Sequence, residues 1–198
     1  MKKVLFLFLF FITSVLGAEE KLTLIAIVNN TIITGIDISN EIIIIKLLNK
    51  NIDPKSPEVK RVALENAINE ILKTSEIEKN NIKSSDKNQI DSQYAELLKK
   101  ITQGNDLISS NTKKKIYNKI KLDYEWNDLI QKKYSWKINI NMNEIDEKLK
   151  NIKEKTEDQS KLLTAKEELI KIEKNKKLNI YSNNYLEKIK KNSLIKFF

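Results

Sequence analysis

Apolar and polar positions alternate over residues 22–33 and then change period. Leu22, Leu24, Ala26 and Val28 recur at every second position, Asn29-Asn30 interrupts them, and Ile32 and Ile33 resume the β-branched run. An Asn-Asn pair tolerates the positive φ of a tight turn, so the pattern predicts a short hairpin. Thr34, with Asp37 three residues on, has capping-box spacing and is followed by an apolar run, which predicts a helix starting at once. In that helix Ile36, Ile38, Ile42, Ile45 and Leu48 share a face, while Ile43, Ile44 and Leu47 lie on others. A helix apolar around much of its circumference is either buried or a binding surface. Core is the default reading, and the surplus beyond one face leaves room for a binding role.

Residues 49–56 read as a connection, and Ser56-Pro57-Glu58 is a helix start: a capping hydroxyl, proline at the first helical position and an acid at the positive end of the dipole. That helix should run to about Asn80 with Val59, Val62, Ala63, Ala67, Ile68, Ile71 and Leu72 in its stripe. A third helix is predicted from Ser84 or Ser85, carrying Ile90, Tyr94, Leu97, Leu98 and Ile101 until Gly104 stops it. After a polar loop at 105–111 comes a fourth, over 112–134. Ile116, Ile120, Tyr124 and Ile130 lie on one side of it, with Tyr117, Trp126 and Leu129 further round.

Residues 136–140 alternate and read as extended. Asn141 and Glu144 repeat the capping spacing ahead of a fifth helix with Ile145, Leu149 and Ile152 as a narrow stripe. A charged break at 154–160 precedes a long helix from Lys161 through Leu162, Leu169, Ile172 and Leu178 toward Ile180. Residues 194–198 read as a closing strand.

The sequence of 198 residues, with three Gly, two Pro and no Cys, suits a mainly α fold: one helical domain able to bury a core, with a small sheet. Its formal charge of +9 comes almost wholly from lysine, since Arg61 is the sole arginine. Residues 1–17 have the form of a cleavable secretory signal. Lys2 and Lys3 precede an apolar stretch at 4–12 that is too short to span a bilayer, with Val15 and Gly17 as the small residues of a cleavage site. Removing Lys2 and Lys3 takes +9 to +7 on an exported, periplasmic chain. With no cysteine available, stability there must come from packing.

Three stretches resemble the SurA family of periplasmic chaperones. The family's opening pattern I-x-x-V-N-[DN]-x-x-[IV]-[TS]-x-x-[DE] is met by Ile25, Val28, Asn29, Asn30, Ile33, Thr34 and Asp37. A basic-aromatic stretch followed by extended residues and a capped helix is met by residues 132–134, 138–140 and 141–145. The closing pattern [YF]-L-x-x-[LI]-[KR]-x-x-A-x-I is met by Tyr185, Leu186, Ile189, Lys190 and Ile195, with Ser193 at the small position. The resemblance implies a chaperone domain at 18–155, completed at 156–198 by a C-terminal helix and a strand that returns to the N-terminal hairpin. Family members carry parvulin isomerase domains where this chain has only its charged break.

The absence of His and Cys rules out a parvulin-type isomerase centre of the family's kind, Ser-His-Asp and Cys-His catalysis, and the common zinc sites. The carboxylate pairs Glu167-Glu168 and Glu157-Asp158 sit among lysines and read as solvated helix faces. No Gly-rich phosphate loop is present, and no cofactor is expected. Lysines alternating with acids on an exported chain do not make a nucleic-acid protein. A weak contact of the lysines with an anionic membrane surface is the more fitting electrostatic role.

The expectation is therefore a non-enzymatic, ATP-independent holdase for unfolded outer-membrane or other exported proteins. Ile43, Ile44, Leu47, Tyr117, Tyr124, Trp126 and Trp136 are candidates to line its crevice; core packing is the competing role for the aromatics. The alternative is a helical scaffold that oligomerises through its surplus apolar faces.

Overall fold

The computed structural model describes residues 23–83, 86–102, 108–153 and 158–198. The expected leader at 1–17, Leu22, the helix start at Ser84 or Ser85, the Gly104 stop with residues 105–107 of the polar loop, and residues 154–157 of the charged break lie outside these.

Strands β1 (Leu24–Val28) and β2 (Thr31–Thr34) form the hairpin that the alternation predicts. Asn29 turns it at φ 54°, a left-handed value that asparagine tolerates better than most residues. The pleat then sorts the side chains. Ala26, Val28 and Ile33 are buried on the inner face, and Ile27 pairs with Ile32 on the outer one. A register shift between Leu24 and Ala26 leaves Ile25 as a bulge.

Strand β3 (Ile195–Phe197) pairs antiparallel with the other side of β1, giving the order β2-β1-β3 and the C-terminal return that was expected. Asn29 receives the end of the chain as well as turning the hairpin. Its N–H donates to the Leu194 carbonyl at 2.7 Å, and its Oδ1 accepts from the Leu194 N–H at 3.0 Å.

Helix α1 (Gly35–Leu48) starts on a complete capping box between Thr34 and Asp37. Its orientation corrects the face read from sequence. Ile44 and Glu41 are the buried positions, whereas Ile36 and Leu48 are exposed. Four consecutive isoleucines cover every direction around a helix, so periodicity alone cannot orient it.

Helix α2 (Pro57–Lys79) begins as predicted, with the Ser56 hydroxyl accepting from the Glu58 N–H at 3.2 Å. Helix α3 (Lys87–Thr102) follows, the Gln89 N–H donating to Asp86 Oδ1 at 3.1 Å. Ser109 caps α4 (Ser110–Tyr134).

Residues 136–140 are only partly extended. Ser135–Lys137 form a short 3₁₀ turn, and the Trp136 indole N–H folds back onto the Lys133 carbonyl at 2.9 Å. Helix α5 (Met142–Lys153) is then capped from Asn141, whose Oδ1 accepts from the Asn143 N–H at 3.2 Å and whose side-chain amide donates to Glu144 at 2.9 Å.

Helix α6 (Gln159–Lys191) does not end near Ile180. It runs 33 residues, about 50 Å at helical rise, because no Gly or Pro interrupts it. Its first half lies antiparallel to α5, with Lys166 bonded to Asp146 at 2.9 Å. Its second half packs on α2 and α4.

Three apolar clusters follow one another through the domain. The first seats the inner face of the sheet on Ile68 and Leu72 of α2, with Leu186, Ile189 and Ile195 closing it. The second joins Ile44 of α1 to α3 and α4 through Ile90, Ile101, Ile116 and Ile120. The third holds Ile77, Trp126, Leu129, Ile130 and Leu178, where α2, α4 and α6 meet. Each large side chain buried this way contributes about 1.5–3 kcal/mol.

Candidate functional site

The seven residues singled out from sequence do not share one surface. Ile44 is buried in the second cluster, and Leu47, Tyr117 and Tyr124 pack against it half-buried. Trp126 is buried in the third cluster. Ile43 and Trp136 are exposed, at 47% and 75%. The structure thus unites four of the seven and separates the other three.

Most of the aromatic side chains at the end of α4 join α4 to α6. Trp126 stacks on Tyr185 with ring centroids 5.8 Å apart and donates its indole N–H to the Ser182 hydroxyl at 2.8 Å. Tyr134 stacks on Tyr181 at 5.0 Å and meets Tyr185 edge-on at 5.9 Å. Burial, with the hydrogen bond from its hydroxyl to Glu76, pushes the Tyr185 phenol well above the ordinary tyrosine range. These rings hold the C-terminal helix in place.

A groove opens elsewhere. The hairpin forms one wall, α2 the floor and the first half of α4 the other wall, around a volume of about 720 Å³. Ala67, Ile71, Thr74 and Ser75 of α2 face it, together with Ile32 of β2 and Asn118 of α4. A second depression of about 650 Å³ shares Glu70, Thr74, Glu78 and Asn118 with it, so the two form one trough running along α2 toward Ile82.

Strand β2 borders the trough as an edge strand. The bonds from Asn29 and to Ile25 turn the odd residues of β1 toward β3, so Ala26 and Val28 face β2. The backbone N–H and C=O of Ile32 consequently point away from the sheet. The lining mixes apolar and short polar groups with the charged side chains of Asp37, Glu41, Glu70, Glu78, Lys115 and Lys119.

Lys119 anchors the trough. Its ammonium bonds Glu41 of α1 at 2.9 Å and Glu70 of α2, tying three helices together, while Asn66 donates to the second oxygen of Glu41 at 3.2 Å. Burial opposes the Lys119 charge, but the hydrogen bonds to Glu70 and Glu41 outweigh it and hold its pKa above the usual lysine value. Lys119→Met should therefore cost about 1–3 kcal/mol in urea unfolding at neutral pH, because Glu41 stays buried without its cation. A raised lysine pKa stabilises below the unfolded value of about 10.4 and ceases to do so as pH rises through the folded value. The gap between wild type and Lys119→Met should close above that pH; a gap that is constant with pH would contradict the assignment.

No protein-family model matches the chain, and no curated protein matches it. Among the described residues, no group of three or more His, Cys, Asp or Glu is placed to hold a metal ion, and no helix is long and apolar enough to cross a membrane.

Two features escaped the sequence reading. Glu41 is a lone acid at the head of four isoleucines, and a charge inside an apolar run signals a buried partner. The stripe Ala67, Glu70, Ile71, Thr74, Glu78 runs beside the apolar face of α2 at helical spacing, and its mixed character was the available sign of a trough. Of the paired carboxylates, Glu167 and Glu168 are both exposed, and Asp158 caps α6 through Oδ1, accepting from the Ser160 N–H at 3.0 Å.

Proposed function

We propose that the chain is a SurA-like, ATP-independent holdase without isomerase domains, exported to the periplasm, and that it holds unfolded outer-membrane proteins in the α2–α4 trough. The supporting observation is the continuous trough bordered by the open edge of β2. A client segment lying beside β2 would exchange backbone hydrogen bonds with Ile32 and rest its side chains on Ala67 and Ile71. Hydrogen bonding to a backbone that every protein shares gives weak sequence preference, as a holdase requires. Thr74, Ser75 and Asn118 supply adaptable polar partners along the floor and wall. No step in this reading needs a nucleotide, a metal or a titrating base, so the protein is taken as non-catalytic.

Light scattering tests the reading. An equimolar amount of the chain should slow aggregation of a urea-unfolded β-barrel protein on dilution, without nucleotide. Ser75→Trp, which fills the trough from an exposed position, should abolish most of that protection while leaving the melt unchanged. Failure of the unaltered chain to slow aggregation sinks the holdase reading; full protection by Ser75→Trp sinks the trough as its site.

One observation favours the scaffold alternative. β3 is the other edge strand, and its Phe197 and the following Phe198 are exposed at 64% and 69%. Concentration-dependent oligomers in sedimentation velocity, lost on Phe197→Lys, together with no protection of clients, would support self-association instead.

A further inference from the structure

We propose that the turn after α4 is a docking tip for anionic lipid surfaces. Trp136 is 75% exposed, more than any other large apolar side chain among the described residues. Its indole N–H is already satisfied by the Lys133 carbonyl at 2.9 Å, so the end of its own helix orients the ring while its faces stay out of the core. The Lys137 ammonium sits 4.8 Å from the ring centroid, and Met142, 40% exposed, opens α5 six residues after Trp136.

Charge at the tip is one-sided. Residues 129–143 contain Lys132, Lys133 and Lys137 and no Asp or Glu, and none of these lysines meets a carboxylate among the described residues. Several lysines elsewhere are neutralised, Lys73 by Asp123, Lys119 by Glu41 and Glu70, and Lys190 by Glu65, whereas at the tip Lys133 lies 5.1 Å from the Tyr185 ring centroid and Lys137 5.7 Å from that of Tyr134. Lys177 of α6, bonded to the Asn139 carbonyl, adds a further cation beside the turn.

An exposed indole with the Lys137 ammonium beside it, in a stretch that carries lysines and no carboxylate, fits a partner that is apolar and anionic at once. Tryptophan settles at the headgroup level of a bilayer, and each lysine near an anionic leaflet strengthens binding about fivefold. An acidic peptide would engage the lysines but leave the indole without a partner. The tip is separate from the trough, so this inference stands whether or not the holdase reading does.

Tryptophan emission reads the tip directly. The sequence has two Trp, and Trp126, at 2% exposure, gives a constant background. With vesicles of mixed phosphatidylglycerol and phosphatidylcholine, the emission of Trp136 should shift to the blue, whereas phosphatidylcholine vesicles should leave it unchanged. Trp136→Phe should remove the shift. Lys132→Glu with Lys137→Glu should weaken vesicle co-sedimentation more than tenfold, and raised salt should weaken it in the unaltered chain. An absent shift, an equal shift on both vesicle types, or undiminished co-sedimentation of the charge variant would overturn the proposal. A blue shift produced by polyglutamate and not by vesicles would also overturn it, in favour of an acidic peptide. Unchanged Trp126 emission in Trp136→Phe verifies that the variant is folded.

Discussion

A chain ending before residue 178 is expected to lose its cooperative unfolding transition altogether. The missing residues contribute to two of the three apolar clusters: Leu178 lies in the third, Ile195 packs on the first, and Leu186 and Ile189 touch both. Four such side chains at about 1.5–3 kcal/mol each approach the whole stability of a domain, about 5–15 kcal/mol. The truncation also uncovers one edge of β1 and removes the Tyr185 and Ser182 partners of Trp126 and the Lys190 partner of Glu65. Circular dichroism during heating checks this. A truncated chain that retains the full cooperative melt would show that residues 23–177 form a core by themselves.

The second large effect separates the two tryptophans. Trp126→Ala should cost about 3–5 kcal/mol in urea unfolding, since it removes a fully packed ring, a stacking partner of Tyr185 and a hydrogen bond to Ser182 at once. Trp136→Ala should change stability by less than about 0.5 kcal/mol, because its ring packs on no core cluster. Equal losses at the two positions would contradict the burial described above.

These two residues also show where sequence reasoning reached its limit. Ten positions apart, Trp126 and Trp136 looked alike as candidates to line a crevice. What distinguishes them is Ser182, 56 residues from Trp126, and Tyr185, neither of which any local period reveals. The orientation of α1 was hidden for a related reason: its isoleucines point in every direction, and the face that turns inward is chosen by α2 and α4, on which it packs. The trough depends on Lys119 meeting Glu70 across 49 positions of sequence, a pairing that many lysines and acids could have made on paper.

Local chemistry, in contrast, was legible. The Asn29-Asn30 turn, the Thr34–Asp37 box, the Ser56-Pro57 start and the Asn141 cap each act within four residues and formed as read. The closing strand was legible too, and the structure gives the residues leading into it work. Tyr185 bonds Glu76, Lys190 bonds Glu65 at 2.8 Å, and the Ser193 hydroxyl donates to the Ile189 carbonyl at 3.0 Å where α6 ends. Glu65 is held below the ordinary carboxylate range by the hydrogen bond and charge of Lys190. That contact therefore stabilises above the unfolded carboxylate pKa and is lost as the pH falls through the folded one.

Site-directed crosslinking tests the proposed seat of an unfolded client in the α2–α4 trough. The chain has no cysteine, so a single Ser75→Cys carries a photoreactive label unambiguously, with Leu163→Cys on the exposed side of α6 as the comparison. On illumination with a urea-diluted β-barrel protein, the label at position 75 should capture the client at a yield several times that at position 163. Equal yields at the two positions, or capture at 163 alone, would contradict the trough as the client site.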